Sequence, residues 1–245
     1  MFFRRKTTGD KTAGYEMIGA DMHSHLLPGI DDGSPNIETS LQLIRGMKAL
    51  GYKKLITTPH IMWDMHKNTR QIILEKLEQV KLKLQEEKID IELQAAGEYF
   101  IDDYMGQLLA QKEPLLTFGN NMVLTEFSMA SQPFDLKDVL FEMQIQGYQP
   151  VIAHPERYTY LEHNKVFYDD LKDIGCLFQL NLLALTGYYG AAVLELARYL
   201  AKKGYYELVG TDLHHARHLD ALNNPAITAS LHKLIQAEKI QNPGL

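Results

Sequence analysis

Short apolar runs alternate with longer segments of helical periodicity from about residue 16 to the C-terminus. This alternation is typical of repeated strand–helix units around a parallel sheet, and it predicts an α/β fold. Seven such units can be traced along the chain. The predicted strands cover 16–21, 53–58, 89–97, 121–125, 149–153, 176–181 and 205–211.

The segment after the first strand predicts an amphipathic helix with recognisable ends. Ser34 and Pro35 suit the N-cap and the first helical position, and apolar residues then recur at helical spacing until Gly51. Similar stripes predict helices over 69–88 and 190–203. Weaker helices are expected at 101–111, 136–147, 165–175 and 225–239, partly because parallel strands need crossover connections.

The length and composition fit one ordinary folded domain. The chain has 245 residues, of which 45% are hydrophobic and 23% charged, and a single α/β domain commonly reaches this size. Pro and Gly are scattered, so no segment is typical of a linker. We predict one domain over 1–245, with residues 1 to about 15 loosely ordered.

Charge and cysteine content narrow the function classes. A net charge of −6 argues against general binding to nucleic acid, which needs a basic surface. No apolar stretch approaches the roughly 18–20 residues of a membrane span, so we do not expect an integral membrane protein. The single cysteine, Cys176, cannot form an internal disulfide, which favours the cytoplasm.

Residues with metal-ligating side chains follow the predicted strands one after another. His23 and His25 form an H-x-H pair just past the first strand, which is a weak signal by itself. The other candidates at strand ends or in the following loops are Asp31, Asp32, His60, Glu98, Glu126, His154, Asp212 and His214. Barrel enzymes assemble their active sites at the carboxyl ends of strands. The competing interpretation is a set of unrelated capping and surface residues.

The ligand types indicate several divalent ions. Buried imidazoles and carboxylates are costly unless a positive charge compensates them. Without a thiolate, this set suits borderline-to-hard first-row ions and exceeds what one ion can coordinate. Two or three ions are therefore expected, with Glu98 or Asp212 able to bridge them, and they would generate the attacking nucleophile from water.

This order of residues resembles the polymerase and histidinol phosphatase (PHP) family, whose pattern runs from an initial H-x-H to a closing D-x-H. The segments DMHSHLLPGIDDG at 21–33, TTPH at 57–60, AGE at 96–98 and AHPER at 153–157 are similar to one branch of that family. That branch contains the tyrosine-protein phosphatases encoded with bacterial capsule and exopolysaccharide genes. The resemblance covers nearly the whole chain and implies the PHP fold, a distorted seven-stranded (β/α)7 TIM-like barrel.

The resemblance also implies a trinuclear site. His23, His25, Glu98 and Asp212 would bind one ion, Glu98, Glu126 and His154 a second, and Asp32, His60 and His214 a third. Only one of Asp31 and Asp32 is expected to be a ligand, and we favour Asp32. Manganese is the implied ion, with iron or zinc as alternatives. Arg157 would contact the substrate phosphate, and Arg217 would be a second such arginine; a surface ion pair is the competing role for Arg157.

The implied activity is hydrolysis of phosphotyrosine, on the tail of a bacterial tyrosine kinase that controls capsule or exopolysaccharide synthesis. The alternatives are a small-molecule phosphatase such as histidinol phosphatase, a nucleic-acid phosphodiesterase and a metal-stabilised binding module. The Cys-x5-Arg arrangement of thiol phosphatases is missing around Cys176. Near the site loops, Met62, Trp63, Tyr188 and Tyr189 either wall the pocket or merely pack, and His66 and His215 are weaker candidates.

Overall fold

The computed structural model describes residues 14–237 and 240–245, which form an α/β structure of parallel strands and crossover helices. The strands are β1 (Ala20–Asp21), β2 (Lys54–Thr57), β3 (His60–Ile61), β4 (Glu92–Ala95), β5 (Glu98–Phe100), β6 (Met122–Glu126), β7 (Gln149–Ala153), β8 (Leu177–Asn181) and β9 (Tyr206–Gly210). The helices are α1 (Ile37–Ala49), α2 (Arg70–Glu86), α3 (Asp103–Gln111), α4 (Leu136–Ile145), α5 (Val166–Asp173), α6 (Ala191–Lys203), α7 (Ala216–Leu222) and α8 (Pro225–Ala237).

Two of the predicted strands are followed by short strands that lie beyond the predicted bounds. The predicted strand 53–58 is followed, after a break at Thr58 and Pro59, by β3, and the predicted strand 89–97 ends in a break at Ala96 and Gly97 before β5. Proline lacks the N–H that a sheet ladder requires, which accounts for the first break. Consequently β1, β2 and β4 form a three-stranded sheet, and β3, β5, β6, β7, β8 and β9 form a six-stranded sheet.

The two sheets are joined beyond the ends of their outer strands. The backbone N–H of Asp212 donates to the carbonyl of His23 at 2.7 Å, and that of His25 donates to the carbonyl of Leu213 at 2.9 Å. These bonds connect the chain after β1 to the chain after β9, where Ser24 and Leu213 form a parallel bridge. The strands of the described residues pair as two sheets that are not closed on each other, so the α/β class is confirmed and the distorted seven-stranded barrel stays a prediction.

The helices are largely where periodicity predicts them, but the start of α1 differs. Asn36, not Ser34, is its N-cap, and its side-chain oxygen accepts from the Thr39 N–H at 2.9 Å. Ser34 is buried and donates to the Asn36 carbonyl instead. Helix α7 is not predicted, since seven residues are too short to show a clear period.

The apolar stripes of the helices pack against the sheets as expected. In α2 the buried positions are Ile73, Leu77, Val80 and Leu84. Tyr15, at the approximate end of the segment expected to be loosely ordered, is fully buried, and its hydroxyl donates to the Leu222 carbonyl at 2.7 Å. The rest of the expected loose segment, 1–13, lies outside the described residues, as do 238–239 at the end of the predicted last helix. Across 14–237 and 240–245, none of the helices combines the length and apolar character that a bilayer span requires.

Candidate metal centre

The nine ligands that the resemblance implies lie together at one end of the sheets. Several of them line a cavity of about 360 Å³, and His23, His25 and Glu98 are fully buried against it. Glu126 closes β6, and His154 follows β7 directly. His60 and Glu98 lie at the first positions of β3 and β5, directly after the two strand breaks. The two residues are direct register partners in the six-stranded sheet.

The Glu98 carboxylate is at the centre of this cluster. Its Oε2 atom lies 3.2 Å from His23 Nε2, 3.3 Å from His25 Nε2 and 3.2 Å from His60 Nδ1, and its Oε1 atom lies 3.2 Å from His154 Nε2. Neither oxygen has a hydrogen bond of acceptable geometry, although the side chain is fully buried. A buried carboxylate without hydrogen bonds is costly unless a cation compensates it. The donor set therefore fits divalent metal ions.

Asp212 occupies the opposite side of the cluster. Its Oδ1 atom lies 3.4 Å from His23 Nε2, 3.5 Å from His25 Nε2 and 3.3 Å from His214 Nδ1. Its Oδ2 atom accepts from Arg157 Nη1 at 2.8 Å and from Asn181 Nδ2 at 3.0 Å. Asp212 thus joins the candidate ligands to the arginine.

Asp31 and Asp32 have different surroundings. Asp32 Oδ1 lies 3.5 Å from His60 Nε2 and 3.3 Å from His214 Nε2, where a shared ion would sit. Asp31 Oδ2 instead pairs with His25 Nδ1 at 2.8 Å and accepts from the His60 N–H at 3.2 Å. Asp32 is thus grouped with His60 and His214, and Asp31 pairs with His25; the choice of Asp32 as the ligand stays a prediction.

Among the described residues, the candidate ligands form four groups. Within each group, the ligand atoms all lie within 4.8 Å of one another. The groups are His25 with Asp32, His60 and His214; His23 with His154 and Asp212; His23 with His25 and Glu98; and His60 with Glu98 and Glu126. Two residues are grouped differently from the three ion sites that the resemblance implies. His154 lies with His23 and Asp212, and His60 also approaches Glu126, with its Nδ1 atom 2.9 Å from Oε1. The assignment of each ion therefore stays a prediction.

A second layer of side chains orients the imidazoles. Gln179 Oε1 lies 2.8 Å from His23 Nδ1 and accepts from the backbone N–H of His154 at 3.2 Å. This contact leaves Nε2 of His23 directed at Glu98. Sequence reasoning missed Gln179 and Asn181, although both are polar residues inside the buried strand β8.

The backbone is strained or tightly packed where it presents the ligands. His154 has φ of 35° and Asp212 has φ of 51°, a left-handed conformation that non-glycine residues rarely adopt. Gly210 has no room for a side chain, because a Cβ atom there would lie 2.6 Å from His23 Cβ. Such strain at several strand ends is characteristic of functional sites.

The electrostatics of the cluster favour cations. Burial disfavours protonation of His23, but the charges of Glu98 and Asp212 outweigh burial and raise the pKa of His23 to about 9. Burial also opposes ionisation of Glu98, yet the neighbouring His23 and His60 hold the pKa of its carboxyl well below the usual range. The carboxylates therefore stay ionised and attract positive charge.

One of the two predicted arginines belongs to the cavity. Arg157 lines it, with its guanidinium carbon 4.9 Å from the centroid of the Tyr189 ring. Arg217 is exposed on α7 and does not line the cavity, so its role stays a prediction. Of the undecided residues, Met62, His66, Tyr189 and His215 line the cavity, whereas Trp63 stacks on Tyr104 beside it. Met65, Met129 and His218 also line the cavity and were not singled out in the sequence.

Cys176 takes no part in the centre. It is buried immediately before β8, and burial raises the pKa of its thiol to about 12. A neutral thiol inside the core is not a nucleophile. The centre therefore works without cysteine chemistry.

Comparison with known proteins identifies similar sequences over most of the chain. The family described as capsular polysaccharide synthesis, CpsB/CapC, matches residues 19–238. The tyrosine-protein phosphatase YwqE of Bacillus subtilis is 27% identical over 197 residues, which cover 80% of this chain and 78% of YwqE. The tyrosine-protein phosphatase CpsB of Streptococcus agalactiae is 28% identical over 221 residues, covering 88% of each chain.

A solved structure has the same fold. It comes from the crystal structures of YwqE from Bacillus subtilis and CpsB from Streptococcus pneumoniae, which are described as unique metal-dependent tyrosine phosphatases. The superposition has a TM-score of 0.76 at 25% sequence identity, and it covers 90% of this chain and 96% of the other.

Proposed function

This chain belongs to the CpsB/CapC family of capsular polysaccharide synthesis, and from this premise we propose that it is a metal-dependent tyrosine-protein phosphatase. The observation that carries the proposal is the Glu98 carboxylate, which is fully buried and surrounded by four imidazole nitrogens without a hydrogen bond. Arg157 in the same cavity supplies a cation for phosphate. The family match over residues 19–238 spans the candidate site residues, and the relatives that carry this activity by name match 80% and 88% of the chain.

The residues of the centre have two proposed roles in the reaction, which are metal binding and phosphate binding. Bound divalent ions supply Lewis acidity and a water made nucleophilic near neutral pH. His23, His25, Asp32, His60, Glu98, Glu126, His154, Asp212 and His214 would hold these ions. The guanidinium of Arg157 is partly exposed to the cavity, and its planar fork suits two phosphate oxygens. A tyrosine phenolate leaves readily, since its conjugate acid has a pKa near ~10, so no general acid is assigned.

Two or three ions are proposed, and Mn²⁺ is the preferred metal, with iron and zinc as alternatives. The four overlapping ligand groups support more than one ion, because no single ion can contact all of them. The preference for manganese rests on the family resemblance, because imidazole and carboxylate ligands suit all three metals.

We also propose that the two sheets act as one distorted seven-stranded barrel. If β2 with β3 and β4 with β5 are each counted as one interrupted strand, the nine strands become seven. The bridge between Ser24 and Leu213 supports this, because it joins the first strand to the last.

The proposed physiological substrate is the phosphotyrosine tail of a bacterial tyrosine kinase of capsule or exopolysaccharide synthesis. The family's capsular role supports this partner. We propose the cytoplasm as the place of action, where the buried free thiol of Cys176 would stay reduced.

The test is turnover of a phosphotyrosyl peptide by purified protein, measured after chelation and again after Mn²⁺ is restored, with bound metal determined on the same samples. We expect activity to disappear on chelation and return with the metal. Histidinol phosphate serves as the competing substrate. A higher kcat/KM for histidinol phosphate than for the peptide would replace the proposed function with that of a small-molecule phosphatase.

A further inference from the structure

The cavity over the candidate centre has an apolar rim as well as a polar floor. Fourteen residues line it, and only four of them are neither charged nor imidazole: Met62, Met65, Met129 and Tyr189. We propose that the three methionines form a collar, here called the methionine collar, that contacts the leaving group and selects aryl over alkyl phosphates. The inference rests on the proposed function and deepens it.

The methionines of the collar come from two separate loops, and Tyr189 comes from a third. Met62 and Met65 lie between β3 and α2, Met129 lies between β6 and α4, and Tyr189 lies between β8 and α6. Three connections that are distant in sequence thus bring apolar side chains to the same cavity. A loop that served only to connect its strand and helix would gain nothing by placing methionine there.

The methionines lie at the open end of the cavity. The exposed fraction is 72% for Met65 and 39% for Met129, whereas the candidate ligands Glu98 and His23 are fully buried. In this proposal, a phosphate bound between the candidate metal ligands and Arg157 extends its leaving group towards the exposed thioethers. The thioethers therefore contact the leaving group, which is the part of the substrate that differs between aryl and alkyl phosphate esters.

The loop that carries Met65 is held in a defined shape. Met62 and His66 pair through both backbone groups, with N···O distances of 3.2 Å and 2.7 Å, and the Met65 N–H donates to the Met62 carbonyl at 3.1 Å. This tight turn projects Met65 away from the packed core, where it keeps most of its surface exposed. The backbone of the turn is thus ordered, although the side chain makes little contact with the protein.

The chemistry of methionine suits an aromatic leaving group. A thioether is flexible and polarizable, and it makes favourable contacts with aromatic rings. The Tyr189 ring can add an edge-to-face or offset-stacked contact. A small polar alkyl group would cover less of the thioether surface and gain neither contact. The collar therefore favours phenyl-type esters without requiring a particular peptide sequence.

The experiment compares an aryl with an alkyl ligand that the protein cannot hydrolyse. The Kd values of phenylphosphonate and methylphosphonate are measured by calorimetry on the Mn²⁺-loaded protein, with inorganic phosphate as a ligand that does not reach the collar. The variants are Met65→Ser with Met129→Ser and, as the conservative pair, Met65→Leu with Met129→Leu. Leu82→Ser is the matched control, since Leu82 is 59% exposed on α2 and does not line the cavity.

We expect the wild type to bind phenylphosphonate more tightly than methylphosphonate. The double serine variant should lose about fivefold to tenfold of that preference, the size expected for two lost thioether–ring contacts. The affinities for methylphosphonate and phosphate should change less than about twofold, because neither ligand reaches the collar. The double leucine variant should keep part of the preference, and Leu82→Ser should keep all of it.

Several results would overturn the collar. Equal wild-type affinity for the two phosphonates would do so, as would an unchanged preference in the double serine variant. A parallel loss of phosphate affinity would mean that the loops only shape the centre. Turnover of phenyl phosphate is measured alongside: a collar-dependent preference without turnover would refute the proposed function alone, and turnover without a preference would refute the collar alone.

Discussion

Three imidazoles of the centre, those of His23, His25 and His214, each have one ring nitrogen engaged by another group. Asp31 holds His25, Gln179 holds His23, and the carbonyl of Asp212 holds Nδ1 of His214 at 2.9 Å. Such outer contacts fix the ring tautomer and raise the basicity of the ligand. The ligand types could be predicted from the sequence, since they follow the strands in order. The preference for Asp32 over Asp31 rests on the resemblance and stays a prediction, because the partners of the two carboxylates depend on how the loop folds.

The two aspartates give the sharpest test at this scale. We expect Asp32→Ala to lower the number of Mn²⁺ ions bound at saturation by one, since its oxygen lies between His60 and His214. Asp31→Asn should keep the number of ions but weaken their binding by roughly 10-fold to 100-fold, the usual effect of losing an outer partner. Calorimetric titration of metal into the chelator-treated protein measures both. The reverse pattern would show that Asp31 is the ligand.

Cys176 offers a test of the metal-based chemistry. Cys176→Ala should leave kcat/KM for a phosphotyrosyl peptide within about twofold, because a buried neutral thiol does not attack phosphorus. It should lower the free energy of unfolding by about 1 kcal/mol through lost core packing. Urea denaturation and steady-state kinetics check the two parts. Loss of activity in a variant with native stability would contradict the metal-based mechanism.

At the scale of elements, the strand breaks place two of the ligands. Because β3 and β5 start afresh after Pro59 and Gly97, His60 and Glu98 become direct partners across the sheet. A proline in the sequence indicates where a strand is interrupted, because proline has no N–H for the sheet ladder. Where the strand resumes depends on its pairing with a distant neighbour, and local periodicity carries no information about that. The strands predicted from the sequence therefore end before β3 and β5, although the sequence identifies His60 and Glu98 as candidate ligands.

Gly210 tests how closely β9 must approach the centre. A Cβ atom at this position would lie 2.6 Å from His23 Cβ and 2.9 Å from Gln179 Nε2, so Gly210→Ala must displace His23 or its partner. We expect Mn²⁺ affinity to fall by about tenfold or more, as for loss of an outer contact.

Gly106→Ala is the matched control for this substitution. Gly106 lies inside α3, and a Cβ atom there would contact nothing within 4 Å. The change should therefore raise stability by up to about 1 kcal/mol and leave metal affinity unchanged. Equal metal affinity in both alanine variants would contradict the tight approach of β9 to His23.

At the scale of the whole molecule, the fold brings carboxylates and imidazoles from several strands into one buried cluster. No single strand or helix could bury these groups by itself. Parallel strands bring their carboxyl ends to one side, and the carboxylates of Asp31, Glu98 and Asp212 are buried there with the imidazoles. Strand alternation was sufficient to predict the α/β class and the gathering of ligands. The division into two sheets and the depth of the cavity depend on long-range packing and on loop conformations, which local patterns do not specify.

Because the buried carboxylates and imidazoles come together only in the folded chain, we expect bound metal to stabilise the entire domain. An ion that binds the folded chain and not the unfolded chain adds about 2.7 kcal/mol when its free concentration is 100 times Kd. For a chain of this length that corresponds to a rise in Tm of roughly 5–10 °C for each ion. Calorimetry of the chelator-treated protein with increasing Mn²⁺ measures the shift. In Glu98→Gln most of the shift should vanish, because the carboxylate shared by the imidazoles loses its charge. A Tm in Glu98→Gln that rises with Mn²⁺ as steeply as in the wild type would mean that the stabilising ions bind elsewhere on the molecule.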